Sequence, residues 1–258
     1  MPAALLNPAH TPDAAESHAS LNAAAPNPAH IAAPQLLLAS RSPRRRSLLT
    51  EAGYTHAACT PGFEDGPLRP GKVTPAQWVA SLAKLKAWAG SQTPEARELL
   101  SQGSVVILGA DTACVMDNLL IGTPRDADEA AKMVRAFANR EHFVVTGVAL
   151  ARFTQSCTSS ELTAHQSMQC RMMFADTALV RIGDISQSQL DTYIESNLWQ
   201  GKAGGYNIAE RIAAGWDITY QGDQTSIMGL PMQRLPRALL KMGIRPDISI
   251  VTKVKTPT

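Results

Sequence analysis

Continuous apolar runs of strand length alternate along this chain with segments of helical period, and that alternation restricts the fold more than any other feature. Val105-Val106-Ile107-Leu108 contains no polar residue, so it reads as a central strand covered on both faces. Leu36-Leu37-Leu38-Ala39 reads the same way. Residues His142 to Ala151 and Met172 to Ile182 give two more strands, separated by a polar, irregular stretch. Helical patterns lie between them. One starts with Ser42 as N-cap and Pro43 at the first helical position, and Gly53 is its expected C-cap. A second runs from about Thr74 to Ala89, with Trp78, Leu82, Leu85 and Ala89 as its expected buried stripe and Lys84 and Lys86 off it. A third opens on Asp126-Ala127-Asp128-Glu129, a capping-box pattern, and carries Ala130, Met133, Val134 and Phe137 on one face. Ser186 caps a short helix to about Glu195, and Asp117-Asn118 marks a hairpin. Gly229-Leu230-Pro231 opens a last helical segment ending near Gly243, which Pro236 either kinks or starts. Interleaved strands and helices predict the α/β class.

The 258 residues suffice for one large α/β domain or two small lobes around a cleft, without a disulfide or zinc staple. Residues 1–34 read as a disordered tail ahead of a domain over 35–250. They are rich in Ala, Pro, Asn and His and hold no Lys or Arg, so neither a secretory signal nor a mitochondrial presequence fits. His10, His18 and His30 lie in this tail at spacings that match no helix face. No run approaches the length of a membrane span. Cys59, Cys114, Cys157 and Cys170 are far apart and form no C-x-x-C pair, which reads as reduced thiols in a cytoplasmic protein. A net charge of +2 gives no whole-molecule argument for nucleic acid.

Four constellations carry candidate chemistry. The first is Ser40-Arg41-Ser42-Pro43-Arg44-Arg45-Arg46. A helix N-terminus already bears partial positive charge, so arginines crowded into its first turn break a local rule. A bound phosphate would relieve the conflict through the same N–H groups and guanidinium forks. A solvated basic helix start and a nucleic-acid patch are the other readings. The second is Gly109-Ala110-Asp111-Thr112, read as an acidic residue closing a buried strand, where α/β folds place their sites. Its plain reading is a turn cap. The third is Glu64-Asp65 with Lys86: paired carboxylates can share a divalent metal, or they can simply be a solvated loop. The fourth is Lys202-Ala203-Gly204-Gly205, a glycine-rich loop with a cation and no Walker motif, open to either a phosphate or an ordinary loop role.

Taken in order, the motifs resemble the Maf family, named for inhibition of septum formation. The matches are Ala39 to Arg45, Glu64-Asp65, Leu82 to Ala87, Gly109 to Thr112, Pro124 to Ala127, Thr146 to Ala149, Lys202-Ala203-Gly204 with Tyr206, and Ser226 with Gly229-Leu230-Pro231. The resemblance implies a nucleoside triphosphate pyrophosphatase that cleaves between the α- and β-phosphorus with Mg²⁺ or Mn²⁺. It implies a mixed α/β fold similar to the inosine-triphosphate pyrophosphatases, with two lobes around a deep cleft. Homodimers are common in the family, and its branches prefer dTTP and UTP or 7-methyl-GTP. Carried over by motif, Asp111 is the general base. Ser40, Arg44, Arg45, Lys86, Thr112 and Lys202 bind substrate, with Arg44 and Thr112 bearing on substrate choice. Glu64, Asp65 and Asp111 are the metal ligands.

Three positions depart from the family pattern. Thr123 stands where the family has Lys in G-K-P-R-D, with Arg125 the nearby cation. Gly201 replaces the Asp of D-K-A-G. Ala209 stands where the pyrimidine branch has its base-reading Gln, which leaves the base open, with Asn207 and Glu210 as neighbouring polar residues. Two other function classes compete: a catalytically weak nucleotide-binding regulator of cell division, and a nucleic-acid module using Arg41 to Arg46. Aromatic residues make up 5% of the chain and none interleaves with these arginines, so base stacking is not expected. The reading is therefore an enzyme acting on nucleoside triphosphates, without stable nucleic-acid or membrane partners.

Overall fold

The computed structural model describes residues 33–63, 70–154 and 170–247, with only the backbone described at Cys170 and Arg171. Among these residues, seven strands form one mixed sheet. They are β1 (Gln35–Ala39), β2 (Ala57–Cys59), β3 (Val105–Met116), β4 (Leu119–Ile121), β5 (Arg140–Phe153), β6 (Cys170–Ile182) and β7 (Ile218–Gln221). The order is β2-β1-β3-β5-β6-β7, with β4 also paired to β3. β1 runs parallel to β2 and β3, and the remaining pairs are antiparallel. The expected α/β class is observed. The helices are α1 (Pro43–Glu51), α2 (Pro75–Ser91), α3 (Pro94–Ser101), α4 (Ala127–Phe137), α5 (Gln187–Glu195), α6 (Ile208–Ala213), α7 (Gln224–Ile227) and α8 (Leu235–Lys241).

Local signals account for most boundaries. Ser42 caps α1, and Gly53 follows its end with φ 80°, the left-handed conformation that a helix stop requires. Asp117 and Asn118 have φ of 51° and 62°, the geometry of a type I′ hairpin between β3 and β4. Pro236 lies in the first turn of α8, so it starts the helix rather than kinking it. The box at α4 is half formed: Asp126 accepts from the Glu129 N–H at 2.8 Å, but Glu129 turns to Arg125 instead of closing it.

Two expectations are corrected. Asp111 does not close a strand, because β3 continues to Met116 through a register shared with β5. Its neighbour on the other edge does end: β1 pairs β3 only as far as Gly109, and β4 pairs it only from Cys114. Residues 110–113 therefore border a gap in the sheet. The second correction concerns α2, whose buried face is Val79, Leu82, Ala83, Ala87, Ala89, Gly90 and Ser91, while Trp78 and Leu85 are half-buried. Small residues face the sheet because the helix lies very close to it. A Cβ on Gly109 would sit 2.1 Å from the Ala83 carbonyl oxygen, and one on Gly147 would sit 2.4 Å from that of Val79.

Alternation along the strands sorts the core onto two faces. Leu36, Leu38, Val106, Leu108, Val148 and Leu150 pack with α1 and α8. Leu37, Ala39, Val105, Ile107, Ala149 and Phe153 pack with α2 and α3. Past the gap, separate clusters take over: Cys114, Val144, Val180 and α4 on the first face, and Val79, Ala113, Val115 and Val145 on the second. The two ends of β3 and β5 thus serve different cores. Between them lie Asp111 opposite Gly147 and Thr112 opposite Thr146.

Candidate active site

The break in the sheet collects the first constellation. Ser40 follows the last residue of β1, and its Oγ accepts the Ser42 N–H at 3.1 Å. The Ser42 Oγ in turn accepts the Arg45 N–H at 3.5 Å, which fixes the first turn of α1. The Arg45 side chain folds back over that turn. It donates from Nε to the Gly229 carbonyl at 2.9 Å, from Nη1 to Ser40 Oγ at 3.3 Å and from Nη2 to Thr112 Oγ1 at 3.1 Å. Thr146 Oγ1 donates to the Ser226 carbonyl at 2.8 Å. Its hydrogen being used there, the 2.8 Å contact between Thr112 and Thr146 must have Thr112 as donor. A directed chain results, from Arg45 through Thr112 and Thr146 to the Ser226 carbonyl. Burial lowers the Arg45 guanidinium to about 10, with Asp111 acting against that and Arg44 adding to it. Arg45 stays cationic at neutral pH.

Strand alternation puts Asp111 on the opposite face from Thr112, where α2 supplies Lys86. Lys86 Nζ donates to Asp111 Oδ1 at 2.5 Å, and both side chains are largely buried. The close approach of α2 over Gly109 and Gly147 makes this reach available. The charge of Asp111 favours the cationic form of Arg45. Arg45 on one face and Lys86 on the other thus engage adjacent residues of β3, Thr112 and Asp111, beside the gap.

A second cluster forms around Glu210. Lys202 is buried and pairs with Glu210 Oε2, while Glu210 Oε1 accepts from Asn207 Nδ2 at 2.9 Å. Asn207 also caps α6, its Oδ1 accepting the Ala209 N–H at 2.9 Å and the Glu210 N–H at 3.4 Å. Arg211 stacks over the Tyr193 ring at 4.2 Å, and Tyr193 donates to the Gly205 carbonyl at 2.8 Å. Burial lowers the pKa of Arg44, opposed by Glu210 and Tyr193. Burial also lowers that of Lys202, opposed mainly by Glu210.

Ser40, Arg45, Thr112, Lys86 and Asp111 are therefore brought together, while Lys202 pairs with Glu210, whose charge also favours that of Arg44. Glu64 and Asp65 lie outside the described residues. Thr123 is exposed, and Arg125 is exposed and paired with Glu129 at 3.0 Å. Arg41 and Arg46 face solvent. Thr146 and the Gly229 carbonyl join the site without a sequence-predicted role. A lone threonine inside the apolar run of β5 was the available signal for Thr146; a backbone carbonyl leaves none. Among the described residues no group of three or more His, Cys, Asp or Glu is placed to hold a metal. Nor is any helix there long and apolar enough to cross a membrane.

Fold and site define an α/β protein with a cationic, carboxylate-bearing site at the break in its sheet. The chain belongs to the Maf-like protein family, which matches residues 35–242. It is 33% identical over 209 residues to a dTTP/UTP pyrophosphatase of Pelotomaculum thermopropionicum, covering 81% of this chain and 97% of that protein. Identity is 34% to a dTTP/UTP pyrophosphatase of Symbiobacterium thermophilum, over 81% of this chain and 94% of the relative. A Bordetella parapertussis protein of the same description is 33% identical, over 82% and 94%.

Proposed function

We propose that the chain hydrolyses a nucleoside triphosphate to the monophosphate and pyrophosphate, with the break in the sheet as its active site. The observation that carries this reading is that Arg45 binds Thr112 and Lys86 binds Asp111, adjacent residues of β3 in the interval that β1 leaves unpaired. Family membership and the dTTP/UTP pyrophosphatase relatives support the reaction class. The separate cores at the two ends of β3 and β5 support two lobes flanking a cleft, as in the inosine-triphosphate pyrophosphatases.

Phosphoryl-type displacement is mainly positioning and charge neutralisation. Arg44 and Arg45 hold the triphosphate together with the backbone N–H groups that open α1, and Lys202 adds charge beside Arg44. Lys86 orients the Asp111 carboxylate. Asp111 accepts a proton from water as the water oxygen bonds to the α-phosphorus. The bond from that phosphorus to the bridging oxygen breaks, and pyrophosphate leaves with the electron pair. Asp111 offers the hard oxygen donor that Mg²⁺ takes, and Mg²⁺ sites at nucleotides commonly need only one or two carboxylates besides the phosphates. Asp111 would hold the cation with Glu64 and Asp65. When bound, the cation neutralises phosphate charge.

Residue 209 cannot read a base as a glutamine would, because Ala209 has no polar side chain and its N–H is taken by Asn207. The base preference is therefore set by other groups. Pyrophosphate release from a panel of normal and modified triphosphates, with Mg²⁺ or Mn²⁺ in heavy-oxygen water, tests the proposal. Pyrophosphate should form with the label in the monophosphate. Saturable binding without release above blank would instead identify a nucleotide-binding regulator.

A further inference from the structure

The turn that carries the Gly229 carbonyl is fastened by one buried carboxylate that touches none of the site residues. Asp223 is 7% exposed. Its Oδ1 accepts the Thr225 N–H at 2.9 Å and the Thr225 hydroxyl at 2.6 Å. Its Oδ2 accepts the Gln233 N–H at 2.9 Å, ten residues further on. The Thr225 hydroxyl oxygen accepts the Met232 N–H at 2.8 Å, so carboxylate and hydroxyl together clip the two ends of the segment. Between those ends, the segment offers two carbonyls to the site. Ser226 O receives Thr146, and Gly229 O receives Arg45. Gly229 has φ 115°, a conformation that other residues rarely adopt, so the turn has little freedom to re-aim this carbonyl by itself.

We propose that Asp223 is a positioning residue for the reaction: by closing the 223–233 turn it aims the Gly229 and Ser226 carbonyls and thereby fixes the Arg45 guanidinium at the break in the sheet. The inference rests on the proposed role of Arg45 in substrate binding. Asp223→Asn keeps the size and leaves an amide N–H₂ facing either the Gln233 N–H or the Thr225 donors, so one clip opens. Displacements of this kind, remote from the chemistry, cost up to about 100-fold in rate.

A double-mutant cycle on kcat/KM separates this role from general stabilisation. Asp223→Asn, Arg45→Ala and the double variant are compared for pyrophosphate release, with folded fraction and Tm measured alongside. Asp223→Asn should lower kcat/KM by about 10- to 100-fold in the wild-type background, yet by less than about two-fold further once Arg45 is gone. Equal losses in both backgrounds would overturn the inference, as would an unchanged kcat/KM in Asp223→Asn while Arg45→Ala is impaired. An unimpaired Arg45→Ala would overturn the proposed site itself and this inference with it. Thr225→Val opens the same clip from the hydroxyl side and should show the same non-additivity. It decides the matter if Asp223→Asn does not fold.

Discussion

Arginine in the first turn of a helix opposes the partial charge of the free N–H groups, at about 0.3–1 kcal/mol per charge when exposed. Arg45 offsets that conflict with three acceptors, one of them 184 residues away in sequence. Three of the five guanidinium N–H donors of Arg45 are thus engaged by the protein. Arg44 lies beside it in sequence, its charge opposed by burial and favoured by Glu210 and Tyr193. A second buried residue has a different meaning. His142 is 1% exposed, stacks on Phe137 at 4.1 Å and shares a 2.7 Å hydrogen bond with the Tyr206 hydroxyl. Burial lowers its imidazole to about 4. The unfolded chain then takes up this proton first, near pH 6.5. The contribution to stability is full above about pH 6.5, declines as pH falls towards about 4, and levels off below. Its size is on the order of 3 kcal/mol. His142→Gln should remove this part of the slope, seen as a smaller change in urea midpoint between the two pH values than in the wild type. An unchanged slope would show that His142 does not protonate on unfolding in that range.

At the scale of elements, α2 decides whether Lys86 reaches Asp111. The helix lies on the sheet through Val79, Ala83, Ala87 and Gly90, over Gly109 and Gly147. Gly109→Ala would place a methyl against backbone atoms of α2, which cannot move aside as a flexible side chain can. Such overpacking should cost about 1–3 kcal/mol or more in urea unfolding. It should also cut turnover roughly ten-fold in the folded fraction, since Lys86 moves with the helix. Unaltered stability would mean that α2 is free to shift. Sequence alone located α2 and came within about two residues of each end, because an apolar period is a local signal. Of the expected stripe, Leu82 and Ala89 are buried but Trp78 and Leu85 are not, because the sheet admits only small residues where Gly109 and Gly147 lie. Sequence alone also ended β3 at Asp111, since a charged residue after an apolar run looks like a strand end. The continuation depends on pairing with β5, which no local pattern encodes. α3 went unread although Thr93 and Pro94 open it in the same manner as Thr74 and Pro75 open α2.

Across the described residues of the domain, the long antiparallel strands join two ends with different cores, and the site occupies the interval where neither core claims β3. Ser40, Arg45, Lys86, Asp111 and Thr112 were legible as candidates because each stands out in its own stretch of sequence. Their association was legible only through the order of the motifs, since distances between elements depend on the sheet. Glu210 illustrates the limit. In the sequence it is only a polar neighbour of Ala209, yet it binds both Lys202 and Asn207, a relation set by the turn at Ala203–Gly205. The central claim is that this interval places a base beside a held triphosphate. The steady-state rate of pyrophosphate release by Asp111→Asn tests it most directly, with nucleotide affinity measured on the same variant. The account predicts a fall in kcat of at least about 100-fold with binding retained; turnover close to that of the wild-type chain would contradict it.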